Sequence, residues 1–147
     1  MGKKIVFWIL TVSIIQVLSV DISNDNVDQS TKECMKELNI DEKVLPEIYD
    51  NKFHFVFENE NTLKFLECCL RKIPFFNSRG DFNEEFAIDQ LGKGIKLVAQ
   101  GKIEDQKLPE LSKAFFHMCK GEKGEILPKR MAKYHNCVMT EIDKHLS

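Results

Sequence analysis

Five cysteines carry the most versatile chemistry in this sequence. They are Cys34, Cys68, Cys69, Cys119 and Cys137. A thiol can attack as a nucleophile, bind a metal ion or form a disulfide, and disulfides are the usual outcome in a secreted chain. Because five is an odd number, at least one thiol stays free or pairs with another molecule. Whether the chain is secreted therefore decides how the cysteines are interpreted.

The N-terminal segment indicates secretion. A pair of lysines precedes an uncharged apolar run over residues 5–18, and small residues suit a cleavage site after Ser19. This pattern predicts a signal peptide over residues 1–19 and a single mature domain over residues 20–147. A membrane anchor is the alternative, but the run is shorter than the roughly 20 residues that a span needs. We expect a secreted, extracellular protein with no membrane span.

The histidines form no catalytic or metal-binding pattern. His54, His117, His135 and His145 make no HExxH motif and no paired metal spacing, and no CxxC motif is present. His117 lies close to Cys119 in sequence, but neighbouring side chains of a helix diverge. No metal and no cofactor is expected.

The adjacent cysteines invite comparison with secreted phospholipases, in which a Cys-Cys pair is followed closely by a His-Asp dyad. Here Leu70 and Arg71 follow the pair, and no glycine-rich calcium loop is present. The chain therefore lacks the residues of that reaction, and we do not expect an enzyme.

The net charge of the chain argues against nucleic acid as a partner. Removal of residues 1–19 leaves 19 basic and 23 acidic side chains, a net charge of −4. The two signs are mixed along the chain as on a solvated surface, so no nucleic acid is expected. Residues 79–81 spell the integrin-type tripeptide Arg-Gly-Asp, but a turn that needs the backbone freedom of Gly80 explains them better.

The elements that position the cysteines are predicted to be helices. Residues 20–29 form a loose polar arm, and Ser30 with Glu33 makes a capping box that starts a helix through about residue 38. Asp41 caps a short second helix toward Tyr49. The later helices are predicted over 61–73, capped by Asn61, then over 83–91, 95–100, 109–120 and 128–146.

Two short features qualify this outline. Phe53, Phe55 and Phe57 alternate as in a strand, although an extended connector that buries the rings fits equally well. The helix from residue 83 is expected to stop at Gly92-Lys93-Gly94. The total is an all-α, compact bundle of six or seven helices with no convincing sheet.

The phase of the 61–73 helix separates the two adjacent cysteines. Cys69 shares an apolar face with Leu66 and Ile73, so we expect it to point into the core and to form a bridge. Cys68 lies beside Lys64 and Arg71, so we expect it to face solvent. The partner of Cys69 is not fixed by this argument.

A resemblance supplies an expected pairing. The segments KECMKEL, LKFLECCLRK, NSRGDFN, AFFHMCK and YHNCVM make the chain similar to insect odorant-binding proteins of the pheromone-binding/general-odorant-binding family. This resemblance implies a bundle around an apolar cavity with disulfides Cys34–Cys69 and Cys119–Cys137. It leaves Cys68 as the odd thiol, through which two copies could pair as a homodimer.

The family pattern has six cysteines, and the resemblance assigns its second and fifth positions to Phe65 and Pro128. Since those two cysteines are partners in the family, their joint loss resembles the reduced-cysteine, or C-minus, type.

The resemblance also implies a function. It predicts a secreted carrier that reversibly binds small hydrophobic molecules, such as odorants or pheromones, with an olfactory receptor as a further partner. The chain has 11 phenylalanines, which suits an apolar pocket. Tyr134, His117 or His135 could supply a polar contact, and charging of histidines in acid could release the ligand. The expected ligand-binding residues are Phe53, Phe55, Leu66, Phe76, Phe86, Phe115, Phe116, Met131, Tyr134 and Val138.

Two other functions remain open at this point. One is a carrier of lipids or other hydrophobic molecules outside olfaction, for instance in a secretion or venom. The other is a structural or interaction protein with the same fold and a filled core.

Overall fold

The structure is a computed structural model that describes residues 26–41, 43–121 and 125–147. Within these ranges the chain forms six α-helices and one short 3₁₀ turn, and two isolated β-bridges are the only strand-like pairings. The predicted signal peptide and residues 20–25 of the predicted arm lie outside the described residues. The helices are α1 (Asn26–Glu37), α2 (Leu45–Ile48), α3 (Glu60–Lys72), α4 (Glu84–Ala99), α5 (Leu108–Cys119) and α6 (Leu127–Leu146), with the 3₁₀ turn at Asp105–Lys107.

This architecture confirms the all-α prediction. Helix α3 lies at the centre and packs against α1 on one side and α6 on the other, while α4 and α5 form an antiparallel pair that meets α6 through α5. The core between them contains fully buried apolar side chains, among them Phe65, Leu66, Met131 and Val138. The stretch around Phe53–Phe57 is a connector whose Phe55 bridges back to Tyr49.

Helix starts agree with the cap predictions in part. Asp41 Oδ1 accepts hydrogen bonds from the backbone N–H groups of Lys43 and Val44 before α2, as predicted. Helix α3, however, is capped by Asn59, which accepts from the N–H of Asn61 at 2.8 Å. Helix α1 begins at Asn26 rather than at Ser30, so the predicted arm is shorter and the predicted capping box is wrong. Ser30 instead lies within the helix, where its side chain is buried.

Helix α4 runs unbroken through the glycines that were expected to end it. The whole helix is 16 residues long and reaches Ala99. It ends where Gln100 and Gly101 adopt positive φ angles of 50° and 86°. Gly92 serves packing instead of termination, because a Cβ at this position would lie 3.1 Å from Ser112 Oγ on α5. A glycine here lets two helices approach closely at a modest cost in helix propensity.

The disulfide of the first helix corrects the sequence prediction. Cys34 is bonded to Cys68, with their Cα atoms 5.8 Å apart, and Cys69 is the free cysteine. The predicted Cys34–Cys69 bridge, the free thiol at Cys68 and the homodimer through Cys68 are therefore wrong. The second predicted bridge, Cys119–Cys137, is present and joins α5 to α6.

The physical reason is that Cys68 and Lys72 of α3 face α1, while Lys64 and Arg71 stay exposed on the helix. Lys72 Nζ lies 3.0 Å from Glu33 Oε2 and 2.8 Å from Glu37 Oε1, both on α1. These pairs form a polar seam over Cys68, which is only 2% exposed. One charged neighbour, Lys72, therefore marks a helix–helix contact, and Cys68 is buried beneath it.

The corrected bridge also changes how the six-cysteine pattern implied by the resemblance aligns with this sequence. Lys64 lies four residues before Cys68 and, not Phe65, occupies the second position on this count. Its side chain is 57% exposed and pairs with Glu60 at 3.0 Å. Phe65 is an ordinary, fully buried core residue.

Candidate ligand-binding site

A groove of about 740 Å³ runs between α4 and α5. Its floor is formed by the more buried residues, which are Ile88 and Gly92 on α4 and Leu108 and Ser112 on α5. Its rim is formed by exposed side chains, which are Glu84, Glu85, Asp89, Lys93, Lys96, Pro109 and Lys113.

The floor offers apolar surface with its polar groups already satisfied. The Ser112 hydroxyl donates a hydrogen bond to the Leu108 carbonyl at 2.7 Å, which occupies its proton within α5. Pro109 in the first turn of α5 has no N–H to leave exposed. An apolar molecule on this floor would therefore not leave a protein hydrogen-bonding group without water or a partner.

The rim is polar along its length. His117 Nε2 lies 3.7 Å from Glu84 Oε1 at one end, and Lys96 Nζ lies 3.3 Å from Asp105 Oδ2 at the other. Between them, Lys93 pairs with Asp89 at 3.4 Å along α4. The groove thus has acidic side chains at its Glu84 end and basic ones toward Lys96.

The ten residues predicted to bind ligand lie elsewhere. None of them lines the groove, and seven are buried in the core while Phe53, Phe76 and Phe86 are half-buried. The structure brings several of them together around Phe82, whose ring centroid lies 4.4 Å from that of Phe76, 4.9 Å from Tyr134 and 5.5 Å from Phe116. Their roles as ligand contacts stay a prediction.

Tyr134 is the polar exception within this aromatic cluster. Its hydroxyl is buried and has no hydrogen-bond partner among the described residues. Burial raises the pKa of this phenol well above its usual value, so it is a neutral donor at any physiological pH. A ligand oxygen or a water molecule at this point would complete its hydrogen bonding.

His135 is held neutral inside the molecule. Its Nε2 lies 2.8 Å from the Phe53 carbonyl, and its ring packs on Phe55 with centroids 4.5 Å apart. Burial lowers the pKa of His135 to about 3, partly opposed by the Phe53 hydrogen bond. His117, by contrast, is half-exposed beside Glu84.

Cys69 is buried, and its thiol is unreactive at neutral pH. Burial raises the pKa of its thiol to about 12, although a hydrogen bond with the Thr31 side chain partly opposes this shift. Because the thiolate is the nucleophile, a thiol with this pKa is nearly unreactive at neutral pH. Cys69 therefore serves as a small apolar core residue.

Sequence reasoning missed the groove because it treated Gly92 as a helix stop. A continuous α4 places Ile88, Gly92 and Lys96 at helical spacing along the side of α4 that faces the groove. The usable signal was the sequence EEFAIDQLGKGIKLVA, which has no proline and reads as one helix if its glycines are tolerated.

Within residues 26–41, 43–121 and 125–147, no group of three or more His, Cys, Asp or Glu side chains is placed to hold a metal ion. In the same ranges, no helix is both long and apolar enough to cross a membrane.

Comparison with known proteins gives the family. The model of the PBP/GOBP family matches residues 19–141. No curated protein sequence and no solved structure matches the chain. Members of this family are carriers of odorants and pheromones and bind their ligands without acting as enzymes. The helical fold, its two disulfides and this match over most of the chain show that it belongs to the PBP/GOBP family of insect pheromone- and odorant-binding proteins.

Proposed function

We propose that this protein is a secreted carrier that reversibly binds small hydrophobic molecules in the groove between α4 and α5. Odorants, pheromones and related semiochemicals are the expected ligands. The observation that supports this location is the groove of about 740 Å³ with an apolar floor. Sites for small molecules typically enclose about 300–1,000 Å³ and are mostly apolar with few polar groups.

The expected energetics suit a carrier that must release its cargo. Removal of apolar surface from water contributes roughly 25 cal/mol per Å², so covering about 200 Å² contributes about 5 kcal/mol. The entropy lost on association offsets part of this. Open-sided burial of this kind gives modest affinity and rapid exchange.

The aromatic cluster around Phe82 is a second candidate location. Its support is the buried Tyr134 hydroxyl without a partner among the described residues, which a ligand oxygen would satisfy. Because the rings of Phe82 and Tyr134 already lie 4.9 Å apart, a ligand there would have to separate them. Entry would cost packing energy, whereas the groove is open in the structure.

The physiological role could be olfactory or not, because the groove does not encode the tissue of expression. Antibody staining of antennae against other secretory tissue distinguishes an olfactory carrier, which would act beside a receptor, from a carrier in another secretion. A structural or interaction protein with this fold would bind no small apolar molecule in either location.

Single-tryptophan variants test the location directly. Trp8 is the sole tryptophan and lies in the predicted signal peptide, so the processed chain would have none. Ile88→Trp places a reporter on the groove floor, and Phe57→Trp places a matched one in the half-buried connector away from it. We expect long-chain alcohols to shift the emission of Ile88→Trp saturably and to leave Phe57→Trp unchanged.

Two results would count against the proposal. If neither variant responds and an apolar fluorescent probe such as N-phenylnaphthylamine fails to bind the unaltered protein, the carrier function is wrong. If the probe binds but Ile88→Trp does not respond, the ligand lies outside the groove.

A further inference from the structure

We propose that the Cys119–Cys137 disulfide is a thiol-exchange site, which small anionic thiols such as glutathione cleave while the Cys34–Cys68 disulfide stays intact. This inference goes beyond the proposed carrier function and does not depend on where a hydrophobic ligand binds. It depends on two differences between the bridges, which are their access to solvent and the charge of the side chains around them.

The Cys119–Cys137 bridge lies at a cavity that opens to solvent. Both cysteines line this cavity, which has a volume of about 300 Å³, at the lower end of the range for small-molecule sites. Its lining includes Met118, Lys120 and Gly121, all of which are exposed. Cys119 itself is buried, but Cys137 is only partly buried. A small thiol therefore has a path to the sulfur of Cys137.

The Cys34–Cys68 bridge is closed to the same reagent. Cys34 is 0% exposed and Cys68 is 2% exposed, and the ion pairs of Lys72 with Glu33 and Glu37 lie over Cys68. The Glu37 carboxylate also lies close, with its Oε2 atom 3.6 Å from Cys68 Sγ. Because the attacking species in thiol–disulfide exchange is a thiolate, this carboxylate repels it.

Cations predominate around the Cys119–Cys137 bridge. The described residues that line the cavity include three cations, Lys120, Arg130 and Lys133, and one carboxylate, Glu125. Glu125 Oε1 pairs with Lys133 Nζ at 2.7 Å, and no carboxylate among the described residues pairs with Lys120 or Arg130. Arg130 Nη1 donates instead to the neutral carbonyl of Gly80. This positive cavity raises the local concentration of an anionic thiolate.

The exchange needs two reductant thiolates and no other reactant. The first attacks Cys137 Sγ, forms a mixed disulfide with it and releases Cys119 as a thiolate, which takes a proton from water. The second attacks the reductant sulfur of the mixed disulfide, so that Cys137 is freed and the reductant leaves as its own disulfide. Two electrons pass from the reductant to the protein. Helices α5 and α6 then lose their covalent link, while rings such as those of Phe116 and Tyr134, 6.0 Å apart, still pack between them.

Graded reduction followed by peptide mapping tests the proposal. The protein is incubated with reduced glutathione under native conditions, quenched in acid and labelled with N-ethylmaleimide in denaturant. The free thiol of Cys69 is labelled in every sample and serves as the internal reference. We expect the Cys119–Cys137 bridge to be reduced at least about tenfold faster than the Cys34–Cys68 bridge, because accessible disulfides are the labile ones. Loss of both bridges at the same rate would mean that reduction requires unfolding of the whole chain, and would overturn the proposal.

A comparison of two thiols tests the role of charge. The thiolate of glutathione carries a net negative charge, whereas that of cysteamine is balanced by its ammonium group. At low ionic strength, Lys120→Gln should lower the ratio of the glutathione rate to the cysteamine rate by about twofold, the scale of an exposed charge pair. If Lys120→Gln leaves this ratio unchanged, the preference for anionic thiols is wrong.

Lys107→Gln is the matched control. Lys107 is an exposed lysine just before α5, outside the cavity and about 18 Å from Cys119 along the helix axis at 1.5 Å per residue. This variant should leave the ratio of the two rates unchanged, and equal thermal melting of the two variants would show that both are folded. An equal fall of the ratio in both variants would mean that net charge, and not the cavity, attracts the thiol.

Discussion

The stapled core, formed by α1, α3 and α6, and the α4–α5 pair use their residues in opposite ways. The stapled core holds the Cys34–Cys68 bridge, the ion pairs of Lys72 and fully buried side chains such as Phe65. The α4–α5 pair meets at Gly92 and Ser112 and leaves an open groove of about 740 Å³.

This difference teaches that the reactive residues of the sequence build the scaffold. The cysteines, the buried histidine and most aromatic rings are occupied with holding helices together. The residues that leave space for a ligand are chemically plain, namely a glycine, a serine and two aliphatic side chains. Under the proposed function, ligand binding therefore depends on where the packing between helices is incomplete.

Truncation of side chains should separate the two regions most strongly. Phe65→Ala removes a fully buried ring from the stapled core, and we expect a loss of about 3–5 kcal/mol in the free energy of unfolding. Ile88→Ala, in the half-buried groove floor, should cost about 1 kcal/mol. Urea denaturation of both variants measures the contrast, and similar losses would mean that the groove is as tightly packed as the core.

The two adjacent cysteines should respond differently to the same change. Cys68→Ser breaks a bridge between residues 34 positions apart and should cost about 3–4 kcal/mol by the loop-entropy relation. Cys69→Ser keeps the bridge and should cost about 1 kcal/mol, since the new hydroxyl lies beside Thr31.

Peptide mapping of the unreduced protein should show a Cys34–Cys68 cross-link. Recovery of a Cys34–Cys69 peptide instead would refute the assignment.

Acid should weaken the core through His135. Its pKa falls from 6.5 to about 3 on folding, so the unfolded chain binds a proton in this window and the folded chain does not. Above pH 6.5, neutral His135 costs the folded protein no free energy of unfolding. As the pH falls from 6.5 toward 3, the free energy of unfolding declines by about 1 kcal/mol per pH unit.

Comparison of urea denaturation at several pH values with that of His135→Gln measures this slope. The variant should lose most of the dependence in that window. An unchanged slope would mean that carboxylates, not His135, carry the acid sensitivity. Because His135 stays neutral in mild acid, ligand release triggered by its charging is not expected above about pH 3.

The smallest expected effect comes from Tyr134→Phe. Removal of a buried hydroxyl without a partner among the described residues should stabilise the protein slightly, by about 1 kcal/mol or less. Octanol affinity should not change if the ligand occupies the groove. A clear loss of affinity at unchanged stability would move the site to the aromatic cluster around Phe82.

The sequence was informative wherever structure is decided locally. The cap at Asp41 and the prolines at the starts of α5 and α6 follow from short-range chemistry. The assignment of Cys68 to solvent failed because the partners of Lys72 lie on α1, in a contact that no local pattern encodes.

The groove was hidden for the same reason. Read from the sequence alone, a glycine such as Gly92 suggests the end of a helix. Only the close approach of Ser112 on α5 shows that Gly92 is a packing residue. Family resemblance gave the expected class of ligand, while the proposed place of binding depends on how α4 meets α5. Long-range packing of this kind is set by the whole chain and not by any segment.

Chemical-shift mapping of the backbone amides during titration with octanol tests the central claim, that cargo binds between α4 and α5, most directly. We predict saturable changes at Ile88, Gly92 and Ser112, with residues around Phe82 and Tyr134 unaffected. Changes centred on Phe116 and Tyr134, with the α4–α5 groove unperturbed, would contradict it.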